Sequence, residues 1–266
     1  MAVIMSKQMV IPSTLPPVGT PLNDCTWEQI SEISNLGLAS TYFKVGDRKA
    51  ITLNGTVGGL TFSNLSIDTF ILGINHNSSI EGGNKIHFCI GKIGDKDVAL
   101  VNNKFIISNS SSYTGGWDDC QMRKSILGSD STPDNPTANT LLDSLPADLL
   151  VVLKPIIKYT DNTGGTSNSA SNVTATTEYL PLMAEFEVCG SRWGANSAEQ
   201  NYQKQYDYFA SGNNRGAATH DTFSNTSWWT RSSYYKYTGA FITVDMGSSY
   251  YTGTNYSCGV RPVFAV

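Results

Sequence analysis

The C-terminal stretch from Trp228 to Val266 constrains the fold most, because it combines alternating apolar residues with turn-forming ones. Residues 241–247 alternate between apolar and polar side chains, and residues 260–266 form a second short apolar run. This spacing predicts two paired strands. Nine aromatic residues but only three formal charges lie between Trp228 and Tyr256. The stretch is therefore a core hairpin or a binding face, and its Ser/Tyr/Gly-rich connections favour a surface that faces a ligand.

The low content of charged residues is the second constraint. Only 15% of the 266 residues are charged, well below the ~25% usual in soluble globular proteins, and Ser, Thr, Asn and Gly take their place. This composition is typical of a robust β-rich exterior, as on extracellular or virion surfaces. The net charge of -4 and the lack of a basic run argue against a nucleic-acid-binding surface, because neutralising phosphates requires clustered Lys and Arg.

The chain contains no internal repeat and no clear break between two domains. We predict one domain over residues 22–266, preceded by an extended arm over residues 1–21 that is apolar and interrupted by prolines. The arm is either a disordered leader or a docking segment that attaches the domain to a neighbouring subunit. The first residues lack the apolar run and cleavage site of a secretory signal, and no segment has the ~18 apolar residues of a membrane span.

Capping residues and periodicity predict the elements within the domain. Asn23 or Asp24 is predicted to cap a short amphipathic helix over residues 26–34. Helices are also predicted over residues 120–127 and 145–155, with a strand as the alternative in the second segment. Strands are predicted over residues 49–55, 68–76, 87–92, 98–101 and 156–160.

Residues that could carry catalysis or bind metals form no recognised motif. Five widely spaced cysteines without a C-x-x-C pair favour ordinary buried thiols, and the three histidines lack metal-binding spacing. Neither a nucleophile elbow nor a phosphate-binding glycine loop occurs. The acidic pairs at 118–119 and 185/187 are more typical of solvated turns and strands than of a glycosidase. We therefore expect no metal, no cofactor and no catalytic residue.

Several short motifs stand in an order that resembles a known family. They include residues 22–27 (LNDCTW), 115–117 (GGW), 185–190 (EFEVCG), 228–232 (WWTRS) and 259–262 (GVRP). Together they resemble an uncharacterised domain family common in gut bacteria and their bacteriophages, over most of residues 22–266. The closing motifs also resemble the end of the C-type lectin-like superfamily branch that includes formylglycine-generating enzymes and variable receptor-binding proteins of phage diversity-generating retroelements.

The resemblance implies an α+β, C-type lectin-like domain with irregular loops and a small antiparallel sheet, whose last strands carry the binding face. A structural clamp would close this domain, formed by Trp117, Trp228, Trp229, Arg231 and Arg261. The two arginines are expected to bond buried backbone carbonyls, since a guanidinium has five donors. The related enzymes use a close cysteine pair with a metal, and Cys258 has no nearby cysteine in the sequence, which argues against that activity.

Ligand binding is assigned to the tyrosine-rich connections at residues 233–239 and 248–257. The tyrosines concerned are Tyr234, Tyr235, Tyr237, Tyr250, Tyr251 and Tyr256. Tyrosine offers rigid amphipathic contact area, and the intervening Ser, Gly and Asn residues offer adaptable hydrogen bonds. The alternative is that half or more of these tyrosines pack inward, as alternating strands require.

The expected function is that of a non-enzymatic bacteriophage virion protein, either a capsid decoration or a tail adhesin, made in the host cytoplasm. Such a protein would contact other virion proteins through residues 1–21, form oligomers in the particle and present its tyrosines to a host-surface protein or glycan. Nucleic acid and membrane are not expected as partners. Two alternatives stay open: an enzyme related to formylglycine-generating enzymes, and a surface- or polysaccharide-binding bacterial module encoded in a prophage.

Overall fold

The computed structural model of the chain describes residues 14–100, 115–164 and 166–266. Of the predicted arm, residues 14–21 are therefore described, and residues 1–13 lie outside. The Gln29 side chain donates a hydrogen bond to the Thr14 carbonyl at 3.2 Å. Thr20 turns back on Pro17, whose carbonyl accepts bonds from the Thr20 backbone at 3.1 Å and hydroxyl at 2.8 Å. The last residue of the predicted strand at 98–101 also lies outside the described residues.

The described helices are mostly single turns. The α-helices are α1 (Trp27–Asn35), α2 (Ala39–Tyr42), α3 (Ser78–Glu81), α4 (Gly116–Asp119), α5 (Ala147–Leu150), α6 (Glu185–Cys189) and α7 (Asp207–Ala210). A π-helix spans Met122–Leu127, and 3-10 helices span Leu22–Asp24, Ala170–Asn172 and Glu199–Asn201. Within the described ranges, the search for a helix with the length and apolar character of a membrane span finds none.

The strands are β1 (Arg48–Val57), β2 (Leu60–Ile74), β3 (Ile86–Ile93), β4 (Lys96–Ala99), β5 (Ile156–Asp161), β6 (Val173–Glu178), β7 (Ala217–Thr219), β8 (Asn225–Thr226), β9 (Trp228–Ser233), β10 (Ala240–Asp245), β11 (Ser248–Gly253) and β12 (Val263–Ala265). Mixed α and β structure with several sheets is therefore confirmed. Strand predictions at 49–55, 87–92 and 156–160 are confirmed within β1, β3 and β5. The helix predicted at 145–155 shrinks to the single turn α5, which ends before Pro155.

The largest sheet has seven strands in the order β1-β2-β3-β4-β7-β8, with β12 also pairing with β3. Strand β12 pairs with His87–Cys89 and β4 with Lys92–Ile93, so two short strands share one edge of β3. All pairs in this sheet are antiparallel except β4 with β7. This sheet is larger than the small antiparallel sheet that was expected, and its longest strand is the 15-residue β2.

Two smaller sheets complete the architecture. Strands β11-β10-β9 form a three-stranded sheet, and β5 pairs with β6. The two C-terminal strands predicted as a pair do not pair with each other. Strand β10 pairs with β9 and β11, whereas β12 pairs with β3. Alternation of apolar and polar residues identifies a strand but does not identify its partner. The pairing is decided by the burial of residues 263–265 against β3.

Helix α1 is capped by Thr26 and not by the predicted Asn23 or Asp24. The Thr26 hydroxyl accepts a hydrogen bond from the Gln29 backbone at 3.1 Å, and the Gln29 side chain accepts from the Thr26 backbone at 2.9 Å. This reciprocal capping box satisfies two N–H groups that the first turn of a helix leaves unpaired. Asn23 and Asp24 instead belong to the preceding 3-10 helix.

The main hydrophobic core joins α1 to the large sheet. The Trp27 ring meets Phe88 of β3 at 5.4 Å between centroids and Phe264 of β12 at 5.7 Å, and the two phenylalanines stack at 5.2 Å. All three side chains are at most 4% exposed. Burial of each such ring contributes about 1.5–3 kcal/mol to folding. Residues near both ends of the described chain thus share one core.

Candidate functional site

Five aromatic rings from two connections and one loop stack into a single group, here called the aromatic cluster. It consists of Trp193, Tyr234, Tyr237, Tyr250 and Tyr251. Tyr251 stacks on Tyr234 with centroids 4.6 Å apart and on Tyr250 at 5.2 Å. Trp193 lies parallel to Tyr234 at 5.6 Å, and Tyr237 contacts Tyr234 at 5.5 Å. The rings therefore hold one another in place.

The aromatic cluster is partly buried and partly presented to solvent. Tyr234 is only 5% exposed and packs against Ile242, whereas Tyr251 is half-buried. Trp193, Tyr237 and Tyr250 are 50%, 55% and 54% exposed. Tyr250 is more exposed than Tyr251, on which it stacks, because Tyr251 is also covered by Tyr234. Of the six predicted tyrosines, for which the alternative was that half or more pack inward, Tyr234 alone is buried.

The two other predicted tyrosines flank the aromatic cluster. Tyr235 is half-buried, with the Arg192 guanidinium 4.9 Å and the Lys236 ammonium 5.4 Å from its ring centre. Tyr256 is 64% exposed and lies beside Gly253 at the end of β11. Sequence reasoning missed Trp193, whose loop carries no periodic signal. A tryptophan followed by glycine in a polar segment was the only available hint.

Glu185 at the start of α6 fixes the loop that carries Trp193. Its carboxylate is fully buried and accepts hydrogen bonds from the backbone N–H groups of Trp193 (2.9 Å), Gly194 (3.1 and 3.2 Å) and Ala195 (2.7 Å). Hydrogen bonds to a charged acceptor are about twice as strong as neutral ones. A buried carboxylate therefore sets the position of an exposed indole ring.

Gly194 allows the loop to approach the sheet closely. A Cβ atom at this position would lie 2.6 Å from the Ile242 Cδ1 atom and 2.9 Å from the Tyr234 ring. Both distances are below ordinary van der Waals contact, so a larger residue would push the tyrosine out of its stack. The glycine is needed here for space.

A buried charge network is formed by Glu81, Lys158, Glu187 and Arg231. Lys158 Nζ bridges Glu81 at 2.8 Å and Glu187 at 2.9 Å. Arg231 binds Glu187 through both terminal nitrogens, at 2.5 and 2.9 Å. Two cations thus balance two carboxylates, all at most 2% exposed. Because Arg231 belongs to β9, the network anchors the strand that leads directly into Tyr234.

The protonation states of the network follow from these contacts. Burial alone would raise the pKa of Glu187, but Arg231 and Lys158 together lower it well below its usual range. Burial also raises the pKa of Glu81, although Lys158 acts in the opposite direction. Nearby, burial raises the pKa of Glu199 to about 7. Its carboxylate accepts hydrogen bonds from Ser232 at 2.7 Å and from the Asp161 backbone at 2.9 Å.

Two buried histidines border this network. Burial lowers the pKa of His76 to about 3 and holds the pKa of His87 well below its usual value, so both are neutral. Donor atoms of His76, Glu81 and Glu187 lie within 4.8 Å of one another, a spacing that could hold a metal ion. No metal was expected from the sequence. Here the Lys158 ammonium bridges the two carboxylates and supplies the positive charge that a metal would bring.

All five predicted clamp residues are fully buried. Trp117 donates to Glu178 at 3.0 Å, and Trp228 donates to the Arg215 carbonyl at 2.9 Å. Trp229 packs in the main core. The two arginines differ from the expectation, since carboxylates are their principal partners.

Arg231 binds one backbone carbonyl, that of Leu182, at 2.9 Å, in addition to Glu187. Arg261 binds Asp97 at 3.0 Å and lies 5.2 Å from the Trp228 ring centre. A guanidinium buried this deeply needs a counter-charge, which carbonyl dipoles alone do not supply. The arginines therefore pair with acids that the sequence pattern did not connect to them.

All five cysteines are free thiols, and Cys25, Cys89, Cys120 and Cys258 are buried. Burial raises the pKa of Cys258 and of Cys120 to about 12, and that of Cys89 to about 11. These thiols are protonated at neutral pH, whereas nucleophilic and metal-binding cysteines react as thiolates. Burial therefore disfavours the thiolate form of Cys258.

Comparison with known proteins identifies one family. Its model, described as a domain of unknown function (DUF6273), matches residues 96–266. No curated protein and no solved structure matches the chain. The matched segment contains the complete aromatic cluster and all five clamp residues, and its strand β12 pairs with β3, which precedes the match. The chain therefore belongs to the DUF6273 family.

Proposed function

We propose that this chain is a non-enzymatic adhesive protein of a bacteriophage particle, which presents the aromatic cluster to a protein or glycan on the host surface. The observation that carries the proposal is the stacked group of five rings, three of them about half exposed, on a frame of buried charges. Rigid aromatic side chains lose little conformational entropy on binding. Preorganisation of this kind suits recognition.

The exposed rings form a contiguous surface of apolar faces with polar edges. Trp193, Tyr237 and Tyr250 each offer a large apolar face and an N–H or O–H group. Contiguous exposed patches of this type mark interaction sites more often than scattered apolar residues do. The rings can stack on the apolar face of a sugar or pack against a peptide. The cationic groups of Arg192 and Lys236 lie over the ring of the flanking Tyr235.

The proposed setting is the virion, with residues 1–21 as the segment that docks on other virion proteins. Support comes from the apolar, proline-interrupted composition of that segment and from the low charge of the chain. We also propose a C-type lectin-like arrangement of the domain. It is supported by the position of most of the aromatic cluster on and beside the last strands, and by buried Trp and Arg residues that join distant segments. An experimental structure compared with that fold tests this part.

The principal alternative is an enzyme related to the formylglycine-generating enzymes. The buried, protonated Cys258 thiol favours the adhesive role, because that chemistry requires a reactive cysteine. A surface-binding module encoded in a prophage would use the same aromatic cluster, and only its setting would differ.

Adhesion of the purified protein to host cells tests the binding face. Trp193→Ala and Tyr250→Ala are expected to abolish adhesion while the proteins stay folded, because both side chains are half exposed. Tyr202→Ala is the matched control, since Tyr202 is 37% exposed and stacks on Tyr159 outside the aromatic cluster. Equal adhesion by all three variants would exclude the cluster as the binding face.

Incorporation into particles tests the arm. Deletion of residues 1–20 is expected to prevent incorporation while leaving a folded domain, as measured by mass spectrometry of purified virions. Unimpaired incorporation of the truncated protein would refute the docking role. Absence of the full-length protein from virions would refute the virion setting and leave the adhesive role to be judged by the cell assay.

A further inference from the structure

Two exposed apolar residues adopt a backbone conformation that disfavours them. Seven non-glycine residues in the described ranges have positive φ, and five of these are asparagines. The exceptions are Phe223 (φ 55°) and Met246 (φ 46°). Asparagine tolerates the left-handed region because its side chain bonds to the local backbone, whereas phenylalanine and methionine have no such compensation.

Packing in the hydrophobic core does not explain why Phe223 and Met246 occupy these two positions. Phe223 is 39% exposed and Met246 is 79% exposed. Met246 occupies the first central position of the tight turn between β10 and β11, followed by Gly247 with φ 86°. Asn-Gly is the preferred pair in such turns. Strained residues that folding does not require are typical of binding sites.

Both residues line one groove. Its volume is about 570 Å³, and it is bounded by the β3–β4 turn, by β7 and β8, and by the β10–β11 turn. Asp95 and Lys96 form one wall, and Asn225 of β8 lies on another. The groove therefore combines two exposed apolar side chains with a few polar groups, as expected of a site for an amphipathic peptide.

The groove carries charges of both signs, and its most exposed carboxylate is Asp95. Lys96 lies over the Phe223 ring at 4.6 Å. Asp97 is nearly buried and already bound by Lys92 at 2.9 Å and by Arg261 at 3.0 Å. The Asp95 side chain is fully exposed, with Arg48 at 3.5 Å as a loose partner. An apolar segment with a single cation would complement this arrangement.

The chain itself contains such a segment. Residues 1–13, outside the described structure, contain eight apolar side chains and one charged side chain, Lys7. Three of the apolar residues are methionines, which adapt well to irregular apolar surfaces. We propose that residues 1–13 of one copy bind the groove of a second copy, with apolar contacts to Phe223 and Met246 and with Lys7 near Asp95. This inference rests on the proposed docking role of the arm and is independent of the aromatic cluster.

Self-association of the full-length chain, measured by sedimentation over a range of concentrations, tests the inference. Wild type is expected to form oligomers that a synthetic peptide of residues 1–13 dissociates. Phe223→Asn and Met246→Asn relieve the backbone strain and remove the apolar contact. Both are expected to raise the melting temperature and to weaken association by about tenfold each. A purely structural role for these residues would lower the melting temperature instead.

Charge reversal provides the sharper test. Lys7→Glu and Asp95→Lys are each expected to weaken association, and the double variant is expected to restore it. The inference is overturned if wild type stays monomeric at every concentration, if the asparagine variants associate as tightly as wild type, or if the charge swap does not restore association. If the synthetic peptide binds but the full-length protein stays monomeric, residues 1–13 occupy the groove of their own chain. That result would refute the exchange between copies. Trp193→Ala should associate normally, which separates this result from a failure of the adhesive role.

Discussion

Replacement of Lys158 by methionine tests whether the buried charge network stabilises the frame of the binding face. The Lys158 ammonium is 1% exposed and lies 2.8 Å from Glu81, 2.9 Å from Glu187 and 3.1 Å from the Tyr206 hydroxyl. Without it, Glu187 keeps Arg231, but Glu81 loses its counter-charge. One oxygen of Glu81 already has no hydrogen-bond partner among the described residues.

Breaking a buried ion pair from one side costs about 3–5 kcal/mol, because the remaining charge stays buried and unpaired. Folded domains have a total stability of about 5–15 kcal/mol, so the loss is a large share of it. We expect Lys158→Met to lower the free energy of unfolding by this amount at neutral pH. The loss should shrink as the pH falls, because protonation removes the charge of Glu81, whose pKa burial already raises.

Urea unfolding followed by tryptophan fluorescence provides the measurement. The double variant Lys158→Met/Glu81→Leu removes a cation and an anion together and should recover most of the stability, since apolar replacements of buried pairs are often neutral. Lys204→Met is the matched control: Lys204 pairs with Asp207 at 3.4 Å, and both side chains are exposed, so the cost should stay below ~1 kcal/mol. A Lys158→Met cost as small as the control, or a double variant no better than the single one, would refute the reasoning.

Three further predictions concern the support of the aromatic cluster. Glu185→Gln turns one acceptor into a donor facing backbone N–H groups, and should cost about 1.5–3 kcal/mol in urea unfolding and weaken cell adhesion through Trp193. Gly194→Ala should displace Tyr234, cost about 1–3 kcal/mol and reduce adhesion; unchanged adhesion would contradict the stacking argument. Burial raises the pKa of Glu199 from 4.5 to about 7. Its contribution to the free energy of unfolding is therefore full below pH 4.5 and is lost as the pH rises to 7. Urea unfolding over a pH series should show this loss for wild type and not for Glu199→Gln.

The sequence predicted secondary structure best where the spacing of apolar residues along the chain marks a helix or a strand. Trp27, Ile30 and Ile33 fall on one helical face, and all three are buried in α1. Alternation located β10, and a continuous apolar run located the end of β2. Cap assignment failed because two neighbouring polar residues competed with Thr26, and only the reciprocal bonds with Gln29 decide between them.

The candidate site could be predicted only in part. The tyrosine-rich connections pointed to the C-terminal region, and Tyr234, Tyr237, Tyr250 and Tyr251 meet in one stack there. Trp193 joins them from a loop that no periodic pattern marks, because Glu185 binds its backbone from another element. Likewise, the exposed Phe223 and Met246 look ordinary in the sequence. Only their backbone angles and their shared groove make them notable.

By itself, the sequence located helix α1, the strands β1, β3, β5 and β10, and the buried Trp117, Trp228 and Trp229. These properties follow from spacing along the chain, which local periodicity records. Tertiary structure alone decided that Lys158 lies between Glu81 and Glu187, that Arg231 pairs with Glu187, and that β12 pairs with β3. A charge or a strand edge can pair with many partners of similar chemistry. Which partner it meets depends on how the whole core packs, and no local pattern contains that information.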